Sequence, residues 1–149
     1  MIKIISNNKK AFHDYEILEK VEAGLVLVGT EVKALRAGSV RMSEAYVWPV
    51  GGELFLQNMF IPEYKQGNIN NHVPTRDRKL LIKKREAERL MAKVKEKGLN
   101  IVPLKIYFKN SWVKIELGLG KGKKLYDKRD SLRKKEMDRD KERALRDRS

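Results

Sequence analysis

The side chains that carry acid–base, nucleophilic or metal chemistry are thinly spread in this sequence. His13 and His72 are the only histidines and lie far apart, and there is no cysteine. Disulfides and thiolate zinc sites are therefore excluded. The carboxylates are scattered among lysines and arginines, and no Ser–His or Cys–His pairing stands at a recognisable spacing. Gly118, Gly120 and Gly122 run into Lys121, Lys123 and Lys124, a combination that suggests phosphate binding. However, a nucleotide P-loop needs GxxxxGK[ST], which no window supplies, and GxGxxG fails because position 123 is lysine. These glycines read instead as places where the backbone leaves the folded body and approaches something closely. Neither a cofactor, a metal nor an enzymatic activity is expected.

What the residues favour is the binding of a polyanion. The chain has 34 Lys and Arg against 20 Asp and Glu, a net charge of +14, more than solubility requires. The run RDRKLLIKKR at residues 76–85 groups Arg76, Arg78, Lys79 and Lys83 around an apolar trio, Leu80, Leu81 and Ile82, that anchors them to the body. Further cations, Lys9, Lys10, Lys33 and Arg36, flank the ends of expected elements. Such groups supply affinity for phosphates without reading sequence. Tyr126 follows three lysines outside any strand and is the aromatic best placed to stack on a base. Trp48, Phe55, Tyr107, Phe108 and Trp112 lie in strand-like stretches and are expected in the core or on the barrel surface.

The elements that must carry these residues read mainly as strands. Residues 15–18 (YEIL) and 24–29 (GLVLVG) are short apolar or β-branched runs. AYVWPV-GG-ELFLQN at residues 45–58 is a hairpin turning on Gly51-Gly52, and residues 101–109 and 112–119 form a second around Asn110-Ser111. A short helix is predicted over residues 30–36 with Thr30 as N-cap, and a longer one over 83–97, where Ala87, Leu90, Met91 and Val94 recur at helical spacing before Gly98. Residues 62–75 form a long polar loop. Few helices among strands at this spacing indicate an antiparallel barrel or sandwich.

The composition breaks at residues 125–130. Residues 127–149 hold ten basic and seven acidic side chains, leaving +11 on the body. Leu132, Met137, Ala144 and Leu145 form no continuous stripe, so this tail has no face to bury. A segment of this kind stays disordered alone and becomes helical when a polyanion supplies the missing interaction energy. No apolar run reaches the ~20 residues of a membrane span, and residues 1–12 lack the features of a secretory signal. The expectation is a soluble, cytoplasmic protein with one folded domain (residues 1–125) and a charged tail (126–149).

Five stretches together are more specific. NNKKA (7–11), YEILEKVEAGLVLVGTEVKALRAGSV (15–40), NHVPTRDRKLLIKKRE (71–86), EKGLNIVPLKIYFKN (96–110) and GKGKKLYDKR (120–129) resemble the small protein B family, the SsrA-binding proteins of bacterial trans-translation. The resemblance implies an OB-like antiparallel β-barrel with flanking helices and a disordered tail that becomes helical on the ribosome. It implies binding to the tRNA-like domain of transfer-messenger RNA, with the tail in the decoding centre and the empty mRNA channel of a stalled ribosome. Elongation factor Tu and alanyl-tRNA synthetase are implied partners through that RNA, and the protein is expected to act as a monomer. Asn8, Glu22 and Leu81 match family positions associated with the RNA-binding surface, around which Lys9, Lys33, Arg36, Arg76, Arg78, Lys79, Lys83, Lys121, Lys123 and Lys124 are expected. Gly120, Gly122, Tyr126, Asp127, Lys128 and Arg129 match the family's junction and tail motif. Tyr126 stands where some members have histidine, so stacking survives the difference and a role needing imidazole does not.

Overall fold

The computed structural model describes residues 2–65 and 71–123. Seven strands and three helices follow in the order β1 (Ile2–Asn7), α1 (Lys9–Asp14), β2 (Tyr15–Leu25), α2 (Gly29–Arg36), β3 (Tyr46–Val50), β4 (Glu53–Gln57), β5 (Arg78–Leu81), α3 (Lys84–Lys97), β6 (Asn100–Lys109) and β7 (Trp112–Gly122). The strands form one antiparallel sheet in the order β1-β6-β7-β2-β5-β4-β3. It curls until β3 packs against β6 without ladder hydrogen bonds. The barrel expected from the strand spacing is thus present, with its seam between those two strands. A cavity of about 580 Å³ opens there, bordered by α1, α3, β3 and the start of β6.

Side chains sort by the two-residue period of the strands. Leu54 and Leu56 of β4, Ile106 and Phe108 of β6, and Ile115, Leu117 and Leu119 of β7 point inward and form the main core with Ala23, Leu25 and Leu80. Helix α3 adds Ala87 and Leu90 to it. A smaller apolar cluster sits outside the sheet, where Ala11 of α1 covers Val102 and Leu104 with Tyr15 and Ile17 against it. Register shifts in β1, β2 and β6 (at Ile4/Ser6, Ile17/Glu19 and Pro103/Lys105) mark where the ladder is interrupted.

Both hairpins form on the expected residues. Gly51 and Gly52 have φ of +60° and +83°, and Asn110 has φ of +60°, as a tight two-residue turn requires. Gly98 closes α3 in the left-handed conformation.

Several elements depart from expectation. The run at 15–18 and the first two residues of the run at 24–29 belong to one strand, β2, because the charged stretch between them alternates: Val21 and Ala23 face inward, Lys20 and Glu22 outward. Residues 26–28 leave the strand and Gly29 opens α2. β1 and α1 were not anticipated. Nor was β5, whose RKLL lies in the basic run. Helix α2 starts earlier than expected, with Val28 at the N-cap position, where its N–H donates to Glu31 Oε1 at 2.9 Å. Thr30 does not cap the helix; its hydroxyl bonds His72 Nδ1 at 2.8 Å. β7 runs on to Gly122, three residues past the expected end.

Candidate nucleic-acid interface

The outer face of the sheet follows from the register. On β2, Lys20 and Glu22 point outward; on β7, Lys114 and Glu116; on β6, Lys105, Tyr107 and Lys109. Glu22 lies opposite Glu116, and Tyr107 opposite Lys114. Two carboxylates facing one another across a ladder would repel, but here cations and a phenol surround them. The Tyr107 hydroxyl donates to Glu22 Oε2, and Lys109 Nζ stands 3.5 Å from Oε1. The hydroxyl's bond, more than the nearby Lys109 and Lys114 charges, holds Glu22 below the usual carboxylate range against the opposing effect of its partial burial. Burial raises Tyr107 above the ordinary phenol value, and its bond to Glu22 raises it further. Glu22 is therefore an anionic acceptor that gathers a small basic cluster. Lys105 Nζ lies 6.0 Å from the Tyr107 ring centre, and Trp112, 72% exposed, stands at the hairpin tip opposite Lys109.

Leu81 shares this face. It lies opposite Gly24, two residues along β2 from Glu22, and is 53% exposed. A Cβ at Gly24 would come within 3.3 Å of Leu81 Cβ, so a larger residue there would have to displace the exposed leucine by a few tenths of an ångström. Lys79 continues the row, half-exposed and 3.1 Å from Glu53. Lys83 is exposed just before α3. On α2, Lys33 and Arg36 are exposed, above the rings of Tyr64 (5.8 Å) and Phe108 (5.6 Å).

Two of the expected contacts prove to be internal. Arg78 is completely buried: its Nε donates to Glu31 Oε2 at 2.8 Å, Nη1 to Met59 O at 2.6 Å and Nη2 to Pro74 O at 3.0 Å. It has no surface to offer a phosphate. Glu31 is equally buried and also receives Arg76 through Nε (3.0 Å) and Nη2 (2.7 Å). Burial pushes the Glu31 carboxyl up, but Arg76, the Val28 N–H and Arg78 outweigh it, and the net shift is downward. For Arg78, burial prevails over Glu31 and the shift is downward as well. Arg76 is only partly exposed, and its guanidinium is occupied by Glu31 and Val26 O. Asn8 is the second internal residue. Its Nδ2 donates to Pro103 O (2.8 Å) and Met42 O (3.3 Å), and its Oδ1 accepts from Ala11 N at the start of α1.

Lys9, Lys121 and Lys123 are exposed at the opposite end of β2, where Tyr15 pairs with Gly122 and Glu16 with Lys121. From Glu16 to Gly24 the strand spans roughly 25 Å at about 3.3 Å per residue, so the expected cations form two groups. Lys123 is strapped to α1 by N–H to Asp14 O (2.9 Å) and Nζ to Phe12 O (3.0 Å). Gly120 is buried against Tyr15, and Gly118 against Leu104. The close approaches that demand these glycines are to the protein's own sheet. Lys124, Tyr126, Asp127, Lys128 and Arg129, with the rest of the tail, lie outside the described residues.

Lys105, Tyr107, Lys109 and Lys114 were not anticipated as part of a site. Their signal in the sequence is the spacing of polar residues along the second hairpin, visible only once its outward face is known. Among the described residues no three His, Asp or Glu side chains gather as a metal site would require, and no helix is long and apolar enough to cross a membrane.

Comparison with known proteins decides the family. Residues 5–147 match the family model described as SmpB protein. The chain belongs to the SmpB protein family. The SsrA-binding protein of Carboxydothermus hydrogenoformans is 56% identical over 98% of both chains. That of Syntrophotalea carbinolica is 56% identical over 99% of this chain and 98% of its own, and that of Bacillus velezensis 53% identical over 98% and 94%. A solved chain from "tmRNA-SmpB: a journey to the center of the bacterial ribosome" superposes with a TM-score of 0.68 at 51% identity, covering 80% of this chain and 84% of that one. Family membership and the mainly-β fold with its flanking helices thus agree with the resemblance found in the sequence.

Proposed function

We propose that this chain is an RNA-binding adaptor of trans-translation, which binds the tRNA-like domain of transfer-messenger RNA and delivers it to stalled ribosomes. The observation that carries the reading is the 56% identity, end to end, to SsrA-binding proteins. The match to a chain of a tmRNA–SmpB–ribosome structure and the net charge of +14 support it. The adaptor works by position and charge, without catalysis.

In this reading the folded body, residues 1–125, holds the RNA along the outer face of the sheet. Lys33, Arg36, Lys79, Lys83, Lys105, Lys109 and Lys114 neutralise phosphates, and Glu22 orders Tyr107 and Lys109 between them. Leu81 offers apolar contact beside Glu22. Arg76, Arg78 and Asn8 act from within, fixing α2, β5 and α1. Residues 126–149 enter the decoding centre and vacant mRNA channel, with Gly120, Lys121, Gly122, Lys123 and Lys124 leading into them. A channel filled by intact message would exclude the tail.

The test is peptide tagging on ribosomes stalled at the end of a truncated message, in a reconstituted system with transfer-messenger RNA. The full chain should support tagging. A form ending at residue 125 should still bind the RNA but support none. Tagging that proceeds without the chain, or equally with the shortened form, contradicts the reading.

A further inference from the structure

The outer face of β3, β4 and β5 carries an aromatic row whose partner is not found within the described residues. Trp48 lies directly opposite Phe55, and Phe55 opposite Lys79. All three project away from the core, because Val47, Leu54, Leu56 and Arg78 alternate with them and are buried. Trp48 is 56% exposed, and Tyr46 and Val50 on the same face are exposed as well. A contiguous apolar patch on a small soluble domain marks an interaction surface.

Its surroundings select the partner. β3 is the last strand of the sheet, but Pro49 is the fourth of its five residues. With no N–H at that position, the edge is a poor template for an added peptide strand. Beside the row, β4 and β5 part after Phe55↔Lys79, leaving a groove bordered by Gly52, Glu53, Lys79, Leu81, Lys83 and Lys84. Among the described residues Glu53 is its one carboxylate, and it already pairs with Lys79. The exposed Trp48 ring, backed by the half-buried Phe55 ring, next to a lysine-lined groove matches single-stranded nucleic acid, whose bases stack while its backbone follows the cations.

We infer that Trp48 and Phe55 form a stacking platform for unpaired RNA bases, with the strand's phosphates running along Lys79, Lys83 and Lys84. The inference rests on the RNA-adaptor reading above and adds a recognition surface to it. Stacking is uncharged, so it contributes affinity without releasing counterions, unlike the lysines beside it.

The test is equilibrium binding of the full chain to the tRNA-like domain of transfer-messenger RNA at 50 and 200 mM salt. Trp48→Leu, which keeps an apolar side chain but loses the ring, should weaken binding about tenfold at both concentrations and leave the salt slope unchanged. Trp48→Phe should retain most of the affinity. Lys83→Ala should instead lower the slope by about one. In a Trp112→Phe background, where Trp48 is the single indole, its emission should quench on binding. Because Trp48 is largely exposed, the urea midpoint of each variant should stay at the parent's value, separating lost contact from lost fold. RNA binding with Trp48→Leu unimpaired and Trp48 emission unmoved would overturn the platform and leave the adaptor reading standing, with the face assigned to a partner other than RNA. Failure of the parent chain to bind this RNA would overturn both.

Discussion

Tyr107 and Glu22 sit on strands that are not neighbours, yet the tyrosine hydroxyl donates to the carboxylate across the intervening β7. One residue from each of the two strands that flank β7 is thereby fixed, and Lys109 is drawn to the other carboxylate oxygen. This gives an acidic residue a purpose on a face proposed to meet RNA. If Glu22 acts by ordering its neighbours, Tyr107→Phe should reproduce much of the RNA affinity lost in Glu22→Gln. The two losses should be non-additive, with a coupling of about 0.5–3 kcal/mol in a double-mutant cycle. Additive losses would mean that Glu22 touches the RNA independently of Tyr107.

Arg78 and Glu31 form a completely buried ion pair that Arg76 completes from the rim. Removing one member leaves the other charged and unpaired away from water. Glu31→Ala should cost about 3–5 kcal/mol in urea denaturation. Where the variant remains folded, the salt slope of RNA binding should match the parent's, because no phosphate contact has been removed. A stable variant with a reduced slope would contradict the assignment of this cluster to the interior.

Glu19 provides the pH signature. Hydrogen bonds from Arg89, reinforced by Lys93, outweigh burial and bring its pKa down to about 2, against an ordinary value of about 4.3. A depressed carboxylate stabilises the fold above its unfolded value, and that contribution is lost as pH falls from about 4 towards 2. The difference in urea midpoint between the parent and Glu19→Gln should accordingly be constant above pH 5 and shrink below pH 4. A difference independent of pH would show that the ion pairs with α3 add nothing.

Gly118 tests packing on the outer face. A Cβ there would lie 2.8 Å from Leu104 Cδ1 and 3.0 Å from its Cγ, with Leu104 itself fully buried under α1. Gly118→Ala should destabilise by about 1–3 kcal/mol. Combined with Leu104→Val, it should cost less than the sum of the two single changes. Strict additivity would place the strain elsewhere.

The hairpins were legible in the sequence because their signals are local: Gly-Gly and Asn-Ser between alternating strands, and Gly98 after an apolar helical stripe. β5 was not. RKLL reads as exposed basic chain until Glu31, 47 positions before Arg78, supplies a buried partner, and nothing local announces that pairing. Thr30 reads locally as an N-cap for the same reason, since nothing nearby shows that His72 claims its hydroxyl from across the fold. The cations that stayed at the surface, Lys33, Arg36, Lys79 and Lys83, were recognisable by type and position. Their companions Lys105, Lys109 and Lys114 became visible only through the register of β6 and β7, which decides the face each occupies. Trp48 and Phe55 were expected in the core or on the barrel surface. Register places them on the outside.

The proposed adaptor role depends first on recognition of the tRNA-like domain of transfer-messenger RNA by the folded body. The most direct measurement is equilibrium binding of the full chain to that domain and to an ordinary elongator tRNA, each at 50 and 200 mM salt. Selective binding to the tRNA-like domain is expected, with affinity falling by at least about 10³ between the two salt concentrations if the seven proposed cations each neutralise a phosphate. Equal affinity for both RNAs would contradict it, leaving a general RNA-binding barrel in place of a dedicated adaptor.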